Sequence, residues 1–228
     1  GSVMDVAKSI NILAANDGKP EDYVNKKMNI ENNGKILVAI PTTSGSGSEA
    51  TKFAVIYIGK TKYSPTHDFI LPDYAIVDHQ FTMSLPKHQT ASTGMDALSQ
   101  AIESYWCINS TDESKKNARE AIKLVMGNLI LAANNPSEES RAAMSKAAHL
   151  AGKAINISKT TSCHAISYPL TSYFNVPHGH AVALTLGQML AYNSGVTGQD
   201  ALDERGVDYV KKIINEIAGL IGAENPQD

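Results

Sequence analysis

Two histidines and an upstream pair of polar residues are the side chains in this sequence best suited to chemistry. His164 and His178 are fourteen residues apart. Asp96 and Gln100 lie four residues apart, so in a helix their side chains share one face. One carboxylate, two imidazoles and an amide oxygen could hold a divalent transition metal and leave room for a substrate oxygen. The spacing therefore predicts a metal site.

The same residues have ordinary structural interpretations when they are taken one at a time. A helix over residues 94–106 would carry its apolar side chains on one side and, opposite to them, Asp96, Gln100 and Glu103. A polar face of this kind is usually solvated. A histidine beside a cysteine is more often a packing residue, and one between proline and glycine is more often part of a turn. The joint order of the residues favours the metal site.

Four sequence blocks occur in the order in which one enzyme family has them. The blocks are GSVMDVAK at residues 1–8, PTTSGSGSE at 41–49, GMDALSQAIE at 94–103, and the segment from His164 to the Pro-His-Gly at 177–179. Together they extend over nearly the whole chain. On these residues the sequence resembles the iron-containing (group III) alcohol dehydrogenases.

The resemblance implies a two-part fold of the dehydroquinate synthase-like type. An α/β nucleotide-binding portion over residues 1–85 would be followed by an all-helical metal-binding domain over residues 86–228, with the metal in the cleft between them. The sequence pattern agrees, since short apolar runs before Pro86 give way to long helical periods after it. The resemblance also implies that the chain begins inside the nucleotide-binding domain and ends before the last helices of the family, as a fragment would.

The resemblance assigns the metal ligands and shows two departures from the family pattern. Asp96, His164 and His178 match metal-binding positions, whereas Gln100 stands where the family normally has a histidine. Tyr168 replaces a second family histidine. An amide oxygen is a poorer ligand than imidazole for iron or zinc and suits harder ions, so the identity of the metal is open, with iron or zinc expected. Tyr168 follows His164 by one helical turn and is a candidate proton donor, although a structural tyrosine is the more common case.

The expected cofactor is NAD or NADP. A helix over residues 3–15 would begin next to Ser2, and the free N–H groups of its first turn suit a phosphate. A Ser/Gly-rich loop at 42–48 follows an apolar run, which is where α/β domains place ligand loops. The resemblance matches cofactor-contacting positions to Ser2, Asp5, Thr42, Thr43, Ser46 and Lys62. Lys62 is equally compatible with an ordinary surface lysine.

Local patterns predict the remaining elements. The apolar run at 35–40 predicts a strand covered on both faces, and 53–58 and 74–77 predict further strands. A capping box at 110–113 predicts the start of a helix that runs to about residue 133. Further helices are predicted over 138–155 and 207–221.

Composition is typical of a globular enzyme. The chain has 228 residues, 43% of them hydrophobic and 19% charged, with a net charge of -3. No basic run indicates nucleic-acid binding, and no apolar run is long enough for a membrane span. Cys107 and Cys163 form neither a disulfide framework nor a CxxC pair, which favours a reducing cytoplasm.

The implied reaction is reversible hydride transfer between NAD(P)H and a small aldehyde. Within the family, the segment from 159 to 184 resembles the branch that contains phosphonoacetaldehyde reductases, which make 2-hydroxyethylphosphonate. The partner would be a small-molecule alcohol or aldehyde, and the intact protein would be a homodimer or a higher homo-oligomer. A lyase-type enzyme of the related dehydroquinate-synthase fold and a non-catalytic nucleotide- or metal-binding fragment are the alternatives.

Overall fold

The computed structural model describes residues 2–25 and 27–227, and its helices are concentrated after residue 86. The first part contains α1 (Ser2–Leu13), α2 (Pro20–Val24), β1 (Val38–Ala39), β2 (Ile56–Ile58), β3 (Thr61–Tyr63) and β4 (Tyr74–Ala75). Short 3-10 turns lie at Ser48–Ala50, Asp68–Ile70 and His79–Thr82. The second part contains α3 (Lys87–Trp106), α4 (Asp112–Asn134), α5 (Glu138–Ser158), α6 (Ser162–Phe174), α7 (His178–Ser194) and α8 (Val207–Ile221). The chain thus has a short α/β part followed by an all-helical part.

The strands are shorter and less covered than the sequence predicts. β1 pairs in parallel with β4, and β2 pairs with β3 in an antiparallel hairpin. The prediction of a strand over 35–40 covered on both faces is wrong, because Ile36 is 76% exposed and Val38 is 47% exposed. Ala39 on the opposite face of β1 is 4% exposed, so the strand is covered on one face only.

Two buried polar residues fasten α1 to the segment that follows the glycine-rich loop. The ammonium of Lys8 is fully buried and donates to the carbonyl oxygens of Thr51 (2.7 Å) and Phe53 (3.0 Å). The carboxylate of Asp5 accepts a hydrogen bond of 2.7 Å from Ser48 Oγ. These bonds fix the start of α1 relative to the loop at 42–48.

The helical part is built around α3, which packs against α4, α5, α7 and α8. Its core consists of fully buried aliphatic and small residues, among them Ile122, Val125 and Ile217. The predicted helices over 138–155 and 207–221 are confirmed as α5 and α8. No helix in the described part of the chain is long and apolar enough to cross a membrane.

The predicted capping box before α4 is displaced by one residue. Thr111, not Ser110, is the N-cap, and its side chain accepts from the backbone N–H of Ser114 while Ser114 Oγ accepts from Thr111 N–H. Thr111 has extended φ and ψ angles, which the N-cap position requires. Ser110 is buried instead, and both its hydroxyl and its carbonyl accept from Arg205.

The glycine-rich loop lies directly on α5. Gly47 has φ +61°, and a Cβ atom on it would come within 2.5 Å of the Gly152 Cα atom. Ser44 Oγ also shares a buried hydrogen bond of 3.0 Å with Ser145 Oγ. The absence of side chains at both glycines therefore permits the backbone contact that joins the loop to the helical part.

Candidate metal centre and cofactor loop

The polar face of α3 is buried, contrary to the interpretation of a solvated face. Asp96 is 5% exposed, Gln100 4% and Glu103 0%. The face is covered because α3 has neighbours on several sides, including α7. Burying three polar side chains costs free energy unless each one has a hydrogen-bond or metal partner.

Three helices each bring one predicted ligand to the same place. The ligating atoms of Asp96 on α3, His164 on α6 and His178 on α7 all lie within 4.8 Å of one another. Asp96 Oδ1 is 3.4 Å from His164 Nε2 and 3.8 Å from His178 Nε2. The structure thus brings together residues that are as much as 82 positions apart in the sequence.

The donor atoms of this centre are free. Asp96 Oδ1, Gln100 Oε1 and His164 Nε2 are buried and have no hydrogen-bond partner among the described residues. Gln100 Nε2 donates to the carbonyl oxygen of Ser46 (3.3 Å), which fixes the amide so that Oε1 remains an open acceptor. An unsatisfied buried polar atom costs about 1–3 kcal/mol. A divalent cation would use all three lone pairs, so the residues present fit a metal.

Glu103 orients the ring of His164. Its Oε2 atom hydrogen-bonds to His164 Nδ1, so Nε2 is the ring nitrogen available to a metal. Its Oε1 atom accepts from Thr161 N (2.9 Å), Thr161 Oγ1 (2.6 Å) and Cys163 N (3.0 Å), at the start of α6. Glu103 is not among the residues that the sequence pattern predicted for the site. Its position seven residues after Asp96, on the same helix face, was the available signal.

The charges of the centre favour an ionised carboxylate beside a protonated histidine. Burial opposes ionisation of Asp96, but the contact with His164 and the charges of His178 and His164 lower its pKa. Burial would lower the pKa of His164, but Asp96 and Glu103 raise it to about 9. Burial also opposes ionisation of Glu103, whose pKa is nevertheless lowered by His164. A metal cation would take the place of the proton at Nε2.

His178 is positioned by the first turn of α7. A Cβ atom on Gly179 would overlap the carbonyl oxygen of Ser92 and come within 3.0 Å of Asp96 Cβ, so glycine is needed for the approach of α7 to α3. The side chain of His178 is 37% exposed, which leaves this edge of the centre open. Burial, opposed by Asp96 and reinforced by His164 and Lys62, lowers the pKa of His178.

The β2–β3 hairpin packs on α6 through lysine–tyrosine contacts. Lys62 Nζ lies 3.6 Å from the ring centroid of Tyr168, and Lys60 Nζ lies 4.5 Å from that of Tyr173. Burial, opposed by Asp96 and Asp5, lowers the pKa of Lys62 to about 8. Burial, together with Glu103 and Tyr57, raises the pKa of Tyr168. Lys62 therefore stands beside the candidate proton donor.

Five of the six residues predicted to contact the cofactor lie in two neighbouring segments, and the sixth, Lys62, lies on β3. Ser2 is exposed at the start of α1, and Asp5 is held by Ser48. Thr42 is exposed, whereas Thr43 and Ser46 are half-buried in the loop that Gln100 contacts. The two segments are joined by the Asp5–Ser48 hydrogen bond. Their roles toward a cofactor remain predictions.

Two protein-family models match this chain. The model of the C-terminal part of the Fe-containing alcohol dehydrogenase family matches residues 90–226, and the model for iron-containing alcohol dehydrogenase matches residues 1–79. The chain belongs to the iron-containing alcohol dehydrogenase family. The recognition of the family and the two-part fold from sequence are both confirmed.

Curated members of the family are similar over most of the chain. Long-chain-alcohol dehydrogenase 1 of Geobacillus thermodenitrificans is 40% identical over 195 residues, which are 84% of this chain and 49% of that protein. The phosphonoacetaldehyde reductase of Streptomyces viridochromogenes is 36% identical over 233 aligned positions, which cover 97% of this chain and 58% of that protein. The chain thus spans about half the length of these relatives.

Solved structures share the fold. The sulfoacetaldehyde reductase from Bifidobacterium kashiwanohense, crystallised in complex with NAD+, has a TM-score of 0.82 and 36% identity, covering 98% of this chain and 62% of that one. The iron-containing alcohol dehydrogenase from Thermotoga maritima has a TM-score of 0.83 and 32% identity, covering 97% of this chain and 57% of that one. The α/β part and the helical part are therefore arranged as in members of the family.

Proposed function

We propose that the protein carrying this chain is a metal-dependent, NAD(P)H-linked alcohol dehydrogenase that reduces a small aldehyde, with phosphonoacetaldehyde as the first candidate. The observation that carries the proposal is the cluster of Asp96, His164 and His178. On the same helix as Asp96, the Gln100 amide donates to the glycine-rich loop. A metal centre beside a nucleotide loop is an arrangement that supports hydride transfer to a carbonyl.

The cofactor would lie along α1 and the glycine-rich loop. The N–H groups at the start of α1 point away from the helix and attract phosphate. The loop adds the hydroxyls of Thr42, Thr43 and Ser46, and it is held to α1 by the Asp5–Ser48 bond. The NAD+ complex of the sulfoacetaldehyde reductase supports NAD as the cofactor.

Asp96, His164 and His178 would hold the metal, with Gln100 Oε1 as a fourth donor. A bound metal ion supplies Lewis-acid polarisation of the substrate carbonyl. Glu103 keeps the His164 ring in position through Nδ1, and the open edge at His178 admits the substrate. The Tyr168 hydroxyl would deliver the proton that the product alcohol needs, since Tyr168 lies one turn after His164 on α6.

The substrate class is suggested by two relatives. Both the phosphonoacetaldehyde reductase and the sulfoacetaldehyde reductase are 36% identical to this chain, and both are named for a two-carbon aldehyde that carries an anionic group. Gln100 and Tyr168 mark the positions where the chain departs from the usual family pattern. A short anionic aldehyde is therefore the class to test first.

The test is the oxidation of NADH and NADPH by the full-length protein with a panel of small aldehydes. Replacing Asp96 by Ala should lower kcat at least ~100-fold, because several kcal/mol of transition-state stabilisation are lost. Asp208→Ala, at an exposed site on α8, is the matched control. Undiminished turnover by metal-free Asp96→Ala protein would refute the metal-dependent mechanism, and a product formed without nucleotide oxidation would favour a lyase.

A further inference from the structure

No carboxylate among the described residues forms an ion pair with the positive charge of Lys62. Its ammonium is stacked on the ring of Tyr168 at 3.6 Å, and no carboxylate among the described residues lies within 4 Å of it. The two acids whose charges act on it, Asp96 and Asp5, are engaged elsewhere. Asp96 adjoins two histidines, and Asp5 accepts from Ser48.

Lys62 is partly buried, which makes this unpaired charge unfavourable. Desolvation lowers the pKa of Lys62 to about 8 even though Asp96 and Asp5 oppose the change. The Tyr168 ring attracts the ammonium electrostatically, but it leaves the net charge in place. None of the three N–H donors of Lys62 has an acceptor among the described residues. A bound anion would supply both the charge and the acceptors.

The position of Lys62 favours the substrate as the source of that anion. β3 lies against α6, the helix that supplies His164, and the charge of Lys62 acts on His178 and Asp96. The phosphates of a dinucleotide have their own donors at the start of α1 and in the glycine-rich loop. Lys62 instead lies over the ring of Tyr168, one helical turn along α6 from the predicted ligand His164.

We propose that Lys62, stacked on Tyr168, forms the subsite for the anionic end of the substrate. The ligand class is a short aldehyde with a phosphonate, sulfonate or carboxylate near the carbonyl carbon. The inference rests on the proposed reductase function and adds to it the residue that selects a charged substrate. Tyr168 serves as the platform that holds the ammonium in place.

The experiment compares an anionic aldehyde with a neutral one of similar shape. Sulfoacetaldehyde and 3,3-dimethylbutanal both carry a tetrahedral group on the carbon next to the carbonyl, and only the first is charged. The full-length protein should prefer the anionic aldehyde in kcat/KM. Lys62→Met keeps the apolar stem and removes the charge, and it should lower that preference about 10- to 100-fold, the loss expected for one charge-assisted hydrogen bond. Lys62→Arg should retain most of it.

The controls separate the other roles that Lys62 can have. The ratio of the two kcat/KM values cancels effects common to both substrates, including weaker cofactor binding. Lys60→Met removes the neighbouring stacked lysine and should leave the ratio unchanged. An unchanged ratio in Lys62→Met, with NADH affinity reduced, would overturn the proposal and assign Lys62 to the nucleotide. An unchanged ratio with unchanged NADH affinity would overturn it and leave Lys62 a packing residue.

A binding measurement keeps the inference separate from the proposed reaction. Ethylphosphonate should bind the wild-type protein in a calorimetric titration and bind Lys62→Met at least about 10-fold more weakly. If no aldehyde is reduced but ethylphosphonate binds through Lys62, the proposed reaction fails and the anion subsite stands. If aldehydes are reduced and ethylphosphonate binds both proteins equally, the subsite fails and the reaction stands.

Discussion

At the scale of single residues, Glu103 and Gln100 determine what the centre can hold. Glu103 is fully buried and divides its two oxygens between the His164 ring and the start of α6. The amide nitrogen of Gln100 donates to the Ser46 carbonyl, and its amide oxygen has no hydrogen-bond partner among the described residues. In each case one half of the side chain is fixed by the protein, which sets the orientation of the other half.

Replacing Glu103 by Gln should weaken metal binding without removing a ligand. The amide keeps the volume of the carboxylate but loses the negative charge that makes the His164 ring basic, so zinc affinity should fall ~10- to 100-fold. Calorimetric titration at one fixed pH measures this. Glu120→Gln, which alters an exposed pair with Lys146, is the control. Equal affinities in the wild type and Glu103→Gln would show that Glu103 only caps α6.

Replacing Gln100 by His should raise the affinity for zinc or ferrous iron by about tenfold or more, because such ions prefer imidazole to an amide oxygen. We expect turnover to stay equal or to fall, since an imidazole ligand in place of the amide oxygen alters the geometry of the metal site. Titration of both proteins with zinc decides the first point. An unchanged affinity would mean that position 100 does not touch the metal and belongs to the substrate pocket.

At the scale of elements, the centre depends on how closely α7 approaches α3. His178 is the first residue of α7, and the neighbouring Gly179 lies against the Ser92 carbonyl. Because the site contains one ligand from each helix, a shift of α7 along or away from α3 moves His178 relative to Asp96. Tight backbone packing at Gly179 therefore sets the geometry of the metal site.

Gly179→Ala should destabilise the protein and disrupt the site together. The new methyl group overlaps a backbone oxygen that cannot rotate away, so the free energy of unfolding should fall by ~1–3 kcal/mol, and metal affinity should fall with it. Gly187→Ala is the matched control on the same helix. Nothing lies within 4 Å of a Cβ there, and the change should stabilise by about 0.5–1 kcal/mol through helix propensity. Wild-type stability in Gly179→Ala would contradict the packing argument.

At the scale of the whole molecule, a metal ion bound at this centre would connect three separate helices. Asp96, His164 and His178 come from α3, α6 and α7, so their ligation links segments whose relative positions otherwise rest on packing. A ligand that binds the folded state but not the unfolded chain stabilises by mass action. Metal content should therefore affect the stability of the helical part as well as its activity.

Metal removal by a chelator should lower the thermal unfolding midpoint, and zinc should restore it. At free zinc ~100 times the dissociation constant the gain is ~2.7 kcal/mol, or about 5–10 °C for a chain of this size. Asp96→Ala protein should show no zinc-dependent shift. An equal shift in wild-type and Asp96→Ala proteins would place the zinc elsewhere. Circular dichroism at 222 nm follows the helices in both.

Features that depend on local chemistry were readable from the amino-acid sequence. The start of α5 and both ends of α8 follow from hydrophobic periodicity and from Ser137 and Gly222 as caps, which act within one helical turn. α5 continues to Ser158, beyond its predicted end at residue 155. The order and type of Asp96, Gln100, His164 and His178 were also readable, since ligand chemistry depends on residue type. The resemblance to the family rested on those residues together with the blocks at 1–8 and 41–49.

Which polar groups are buried, and which groups they contact, depends on the folded arrangement of the helices. Periodicity shows that Glu103 shares a face with Asp96, but not that α6 begins against that face, where four of its contacts arise. It likewise cannot place Lys62 on Tyr168, 106 residues later in the chain. Burial and long-range pairing depend on how distant helices pack against one another. A local sequence pattern carries no information about contacts between segments that are far apart in the chain.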